Sequence, residues 1–182
     1  MAAQQAAIGF SRLASVARAL NGAVRLHIAA SDDERAMLSR QLGLEALERL
    51  EADATLRPAE LAGSLRLSAE WSAEVVQACV VTLEPIASHL ADRFELIFAP
   101  AIADEASGGD LVAFDLDADD PPEPLPDDAI DVGAAVVEQL ALALDPYPRK
   151  IGAELPSASA SAEADGIKES PFAKLREIGG NS

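Results

Sequence analysis

The chain of 182 residues holds two histidines, one cysteine and a large surplus of carboxylates, so few residues are available for nucleophilic or acid–base chemistry. Ser-His-Asp catalysis needs an imidazole oriented beside a hydroxyl. His27 and His89 each alternate with apolar neighbours, which places them on the polar phase of predicted strands and reads as solvated surface histidine. Cys79 continues the inward phase of a long strand if Gln77 is passed over. A lone strand cysteine packs as a small hydrophobe more often than it attacks, and no basic residue within several positions lowers its pKa. One cysteine excludes an internal disulfide framework and an all-thiolate zinc site, and two histidines leave little for a histidine-rich metal centre.

Carboxylates are plentiful, but abundance is not pairing. Asp115, Asp117, Asp119 and Asp120 invite comparison with a calcium loop or an acid pair, yet the central Gly and terminal Glu of the calcium pattern are missing. The run reads as a solvated acidic loop, with attraction of a basic partner as its functional rival. Gly108-Gly109 lacks a following Lys and a helix to receive phosphate, so it reads as a turn. No cofactor or metal is implied, and the expectation is a protein that is not an enzyme.

The elements that must position these residues are legible as periodicities. Leu65, Leu67, Ala69, Trp71, Ala73 and Val75 are apolar at every second place, with Arg66, Ser68, Glu70, Ser72 and Glu74 between them, which predicts a long half-buried strand. Trp71 falls on its core side. Alternation returns at Ile86, Leu90, Phe94, Leu96 and Phe98, broken by Ser88 and Asp92, and the two strands meet at Leu83-Glu84-Pro85 as an antiparallel hairpin. Leu50, Ala52, Ala54 and Leu56 give a third strand before Pro58, and Val24, Leu26 and Ile28 a fourth. Ser31-Asp32-Asp33-Glu34 fits a capping box, Gly43 ends that helix, and Met37, Leu38 and Leu42 supply its buried side. A second helix starts near Asp131 and runs through Val136, Val137, Leu140 and Leu144 to Asp145-Pro146. Strands in runs with helices to one side give an α+β fold: a mainly antiparallel sheet of about four or more strands, two flanking helices and a flexible C-terminal tail.

Charge divides the chain further. Residues 1–93 carry 9 basic and 12 acidic side chains, residues 94–148 carry 14 acidic and no basic ones, and residues 149–182 carry 5 of each. The net charge of −17 argues against gripping phosphate backbones through the overall field. A single domain over 1–150 is expected, with an acidic loop near 103–128. Residues 151–182 read as a flexible linker followed by a C-terminal segment. No apolar run approaches the roughly 18 residues of a membrane span, and residues 1–8 carry no secretory pattern, so a cytoplasmic protein without membrane contact is expected.

Cys79-Val80-Val81-Thr82-Leu83-Glu84-Pro85 resembles the central signature of the YceD family of large ribosomal RNA subunit accumulation proteins, in many of which it reads Cys-x-Arg-Cys-Leu-Glu-Pro. Ile130-Asp131-Val132-Gly133, the apolar helix with Glu138, and Leu144-Asp145-Pro146-Tyr147-Pro148-Arg149-Lys150 look like the family's acidic-start helix and Pro-rich exit. Pro171-Phe172-Ala173-Lys174-Leu175 looks like its closing motif. Thr82 stands where many members have a second cysteine and Val81 where Arg is common, so a zinc or paired-thiol role does not carry over. The resemblance implies a cytoplasmic, non-catalytic factor for the synthesis, processing or stability of large-subunit ribosomal RNA.

With a surplus of negative charge, contact with an RNA precursor falls to the balanced regions. Tyr147, Arg149 and Lys150, and Pro171, Phe172, Lys174 and Arg176, place aromatics beside cations, which suits stacking on unpaired bases. Against this, Tyr147 packs at a helix exit, Arg149 and Lys150 complement the helix dipole, and Phe172 folds back on its own domain. Alternatively the acidic stretch binds a basic ribosomal protein, or acts as a chaperone for a basic partner without RNA contact. A small carboxylate-dependent hydrolase is the remaining reading.

Overall fold

A computed structural model of the chain describes residues 9–100 and 122–153. Within them an α+β unit is built on a five-stranded sheet, a second sheet of two strands and three helices. The elements are β1 (Leu13–Ser15), α1 (Val16–Leu20), β2 (Val24–Ala29), α2 (Asp32–Leu42), β3 (Ala46–Pro58), β4 (Leu65–Ala78), β5 (Pro85–Ala99), β6 (Glu123–Pro124), β7 (Ala129–Asp131) and α3 (Val132–Ala143). The large sheet runs in the order β2-β3-β4-β5-β6, antiparallel except for the short β5–β6 pairing.

β4 forms because its alternating sequence matches the pleat. Leu65, Leu67, Ala69, Trp71, Ala73 and Val75 are all buried, and the residues between them face solvent on the opposite side. A fully buried leucine of this kind contributes about 1.5–3 kcal/mol relative to an exposed one. β3 lies beside β4 with Leu50, Ala52, Ala54 and Leu56 in the same layer, and takes a register shift between Leu47 and Arg49. On the wet face His27 pairs in register with Asp53, Asp53 with Glu70, and Glu70 with Arg93. Both histidines are exposed, as their phase predicts.

The helices cap as the sequence indicates. Ser31 accepts from the Glu34 amide while the Glu34 carboxylate accepts from the Ser31 amide, and Gly43 closes α2 at φ 68°. Asp131 accepts from the Ala134 amide at the start of α3. Val132, Val136, Val137 and Leu140 bury its apolar face. Leu38 is buried on α2 and Leu42 half-buried, but Met37 is exposed, contrary to its expected place in the core. Its thioether lies over Gly9 instead, where a Cβ would collide with Met37 Sδ.

The N-terminal segment is tied to the last helix. Leu13 pairs with Asp131, the Arg12 amide donates to Asp131 Oδ1 at 2.8 Å, and the Val132 amide donates to the Arg12 carbonyl at 2.9 Å. Gly133 permits this approach, since a Cβ there would meet the Phe10 carbonyl oxygen at 2.6 Å. Arg12 also forks onto both oxygens of Glu34 at 2.8 and 2.9 Å. Hydrogen bonding from Arg12, with the Ser31 amide and hydroxyl adding to it, holds the Glu34 carboxyl down to about 2 against the cost of burial.

Two details go beyond the sequence reading. A third helix, α1, joins the two expected ones. Near the end of the expected acidic loop, Glu123–Pro124 pairs with β5 and the Leu125 amide donates to the Ala99 carbonyl. The rest of that loop, residues 103–121, lies outside the described residues. None of the described helices is long and apolar enough to cross a membrane.

Candidate functional site

The β4–β5 turn and the chain leaving α3 interlock. Within the turn, the Cys79 amide donates to the Glu84 carbonyl at 2.8 Å and the Leu83 amide to the Cys79 carbonyl at 2.9 Å. Leu83 takes φ 60°, the one positive φ outside glycine among the described residues. An L-residue held there costs on the order of 1–2 kcal/mol, so surrounding contacts must fix it. The exit segment provides them. The Val80 amide donates to the Pro148 carbonyl at 2.9 Å, Gln77 Nε2 to the Asp145 carbonyl at 2.9 Å, and Lys150 Nζ to Glu84 Oε2 at 2.9 Å. The exit itself is bent by the Tyr147 amide donating to Asp145 Oδ1 at 2.8 Å.

Cys79 is fully buried beneath this turn, as expected of a small buried side chain, and lies outside the main hydrophobic cluster. Its sulfur accepts from the amides of Lys150 at 3.4 Å and Thr82 at 3.5 Å. Hydrogen bonding from the Thr82 side chain, then from the Lys150 and Thr82 amides, pulls the thiol pKa down to about 6 against the opposing effect of burial. The Thr82 hydroxyl has one proton and two acceptors, the sulfur and the Glu84 carboxylate at 3.3 Å. The sequence neighbourhood of Cys79 lacks a base, but Thr82 three residues on is its first donor, and the next, the Lys150 amide, arrives from 71 residues away.

The expected binding residues are therefore distributed unequally. Tyr147 is 70% exposed instead of packed at the helix exit. Arg149 is exposed, with no ion pair among the described residues. Lys150 is committed to Glu84, whose carboxyl it lowers below the usual range first by hydrogen bonding and then by charge. Pro171, Phe172, Lys174 and Arg176 lie outside the described residues. Sequence reasoning missed Val80 and Leu83, which are exposed beside this exit. The available signal was a leucine where a tight turn favours Gly or Asn.

A second feature is the wet face of the sheet. An open groove of about 820 Å³ runs across four strands between the row Arg25, Thr55, Ser68, Glu95 and the row His27, Asp53, Glu70, Arg93. Charges of both signs alternate there. His27 Nδ1 lies 2.9 Å from Asp53 Oδ1, and Arg66 Nη1 2.9 Å from Glu95 Oε2. These are exposed cross-strand pairs of the kind that support solubility and register. Among the described residues no cluster of three or more His, Cys, Asp or Glu side chains could hold a metal ion.

These features define an acidic α+β protein whose two sequence-distant motifs, the turn and the helix exit, meet in one place. The chain belongs to the YceD family, described as large ribosomal RNA subunit accumulation protein YceD, which matches residues 67–178. The match opens inside β4 and takes in both the turn and the exit. No curated protein and no solved structure matched the chain. The family description supports a role in accumulation of the large-subunit ribosomal RNA.

Proposed function

We propose that the protein promotes this accumulation in the cytoplasm as a non-catalytic factor, binding precursor RNA through Tyr147 and Arg149. One observation supports the reading above others. An exposed aromatic ring and an exposed cation with no ion pair among the described residues flank Pro148, whose carbonyl is anchored to the turn, and Lys150, next in line, is anchored through its amide. A backbone held in place by hydrogen bonds loses little freedom when its exposed ring stacks, and stacking on an unpaired base contributes about 1–3 kcal/mol. Pro171, Phe172, Lys174 and Arg176 repeat the combination of aromatic and cation in the closing segment, which we read as a tail, residues 151–182, on a domain spanning 1–150.

The charge distribution sets the form of the interaction. Acidic residues crowd 94–148, so RNA contact is confined to a few cations. Each phosphate contact on a single strand contributes a slope of about −0.7 in log affinity against log salt, and a shallow dependence is expected. The test is a native pull-down at low salt, split into RNase-treated and untreated halves, for the full chain and for Tyr147→Ala with Arg149→Ala. Recovery of large-subunit precursor RNA that the double variant loses supports the reading. A basic ribosomal protein that survives RNase and is retained by the variant overturns it. That outcome would favour a second reading, carried by the 14 acidic residues and absence of Lys and Arg in 94–148, in which the acidic stretch chaperones a basic partner and any effect on RNA is indirect.

A further inference from the structure

The wet face of the sheet is polarised in charge. In register, Arg57 faces Arg66 and Arg66 faces Ile97, and the adjoining row is Arg25, Thr55, Ser68 and Glu95. These two rows hold three arginines and one carboxylate, whereas the next two, the row from His27 to Arg93 and the row from Ala29 to Ala91, hold one arginine and three carboxylates. Like charges directly opposite each other lower the stability of a sheet, so folding alone does not account for Arg57 beside Arg66. Nor is Glu95 a partner for both. Its oxygens accept from the Ser68 hydroxyl at 3.0 Å and from Arg66 Nη1 at 2.9 Å, and these bonds lower its carboxyl below the usual range, with Arg57 adding to this only through space. Arg25 and Arg57 are exposed and make no ion pair among the described residues, in a chain with 31 acidic residues against 14 basic ones.

We propose that Arg25 and Arg57, with the Thr55 hydroxyl between them, bind phosphate groups of single-stranded RNA. This contact rests on the reading that the protein binds precursor RNA, and adds a second place to it, on the sheet. Thr55 faces Arg25 across the strands at about 5 Å and precedes Arg57 by two positions, about 7 Å along the same face. A phosphate entering that corner meets two planar guanidinium forks and a hydroxyl donor. The two rows carry no aromatic side chain, so the contact is to the RNA backbone and not to its bases. It positions the strand, while Tyr147 supplies the stacking. Charges more than about 10 Å apart are largely screened at about 0.1 M salt, so a phosphate here answers to the local excess of arginine before the net charge of −17.

Fluorescence anisotropy with a labelled single-stranded RNA of about 12 nucleotides, on the full chain from about 50 to about 200 mM salt, tests the inference. Arg25→Gln and Arg57→Gln should each flatten the slope of log affinity against log salt by about 0.7, and together weaken binding about tenfold at the lower salt. Arg57→Lys keeps the slope. Arg93→Gln, on the same face but opposite Glu70, should change affinity less than about twofold. All four keep the parental circular dichroism, and Arg57→Gln does not lower the melting temperature, since it relieves a like-charge pair. A parent chain that binds no RNA overturns both this contact and the reading beneath it. Binding that the Arg25 and Arg57 variants retain overturns this contact alone, and the reading stands if Tyr147→Ala with Arg149→Ala abolishes it. Binding lost in the arginine variants but kept by the Tyr147 and Arg149 pair supports the sheet site and removes the helix exit from the reading. An equal loss on Arg93→Gln overturns the contact by showing a diffuse field.

Discussion

The two long hairpin connections of the sheet solve the same geometric problem differently. The β3–β4 connection is self-contained: the Ala59 amide donates to the Ser64 carbonyl, the Ser64 amide to the Leu61 carbonyl, and the positive φ of 79° falls on Gly63. The β4–β5 connection puts its positive φ on Leu83 and is completed by Asp145, Pro148 and Lys150. The first turn would keep its form without the rest of the chain. The second stores backbone strain that a distant segment holds in place, and it displays Leu83, Val80 and Tyr147 to solvent as a result. Strain is retained where side chains are presented, and removed by glycine where they are not.

The contrast can be broken from either side. Gly63→Val forces a β-branched residue to a left-handed φ and should cost about 2 kcal/mol in urea denaturation. A loss below about 0.5 kcal/mol would mean the first turn adapts freely and the comparison fails. Cys79→Ala acts on the second turn through pH. The thiol is held near 6 in the fold against its ordinary 9.0, so its contribution to stability is complete above the unfolded value and declines as pH falls from 9 to 6. The variant should lose that part of the slope, and thiolate absorbance in the parent should titrate near 6. An unchanged slope would show that the sulfur is a spectator. Leu83→Gly relieves strain but adds freedom to the unfolded chain, for a net gain of about 0.5 kcal/mol. A loss of stability instead would place Leu83 among the packing residues. Ser64→Ala removes a buried hydroxyl that has no partner among the described residues and should change stability by less than about 0.5 kcal/mol.

Periodic features were readable because each residue reports its own burial. The alternation of β4, the Ser31–Glu34 capping box and the Asp131 cap needed no information from elsewhere in the chain. Features made by distant partners left no such trace. β1 and β7 are three residues each, too short for a period, and exist because residue 13 meets residue 131. Met37 fits the apolar stripe of α2, but its position over Gly9 depends on where the N-terminal segment passes. The site was legible in the same partial way. Tyr147 and Arg149 stood out by residue type, but the bond from the Lys150 amide to Cys79, and the withdrawal of the Lys150 ammonium toward Glu84, are consequences of the tertiary fold.

The tie between Arg12 and Asp131 also constrains how the protein is made. These residues are separated by 119 positions, and the N-terminal segment has no strand partner until β7 has been synthesised. At roughly 5–20 residues per second, the ribosome needs on the order of ten seconds to supply it. During that interval the β3–β4–β5 hairpins can form as they emerge, while Phe10 and Arg12 wait for α3. Phe10 and Arg12 are therefore among the last of the described residues to find their places.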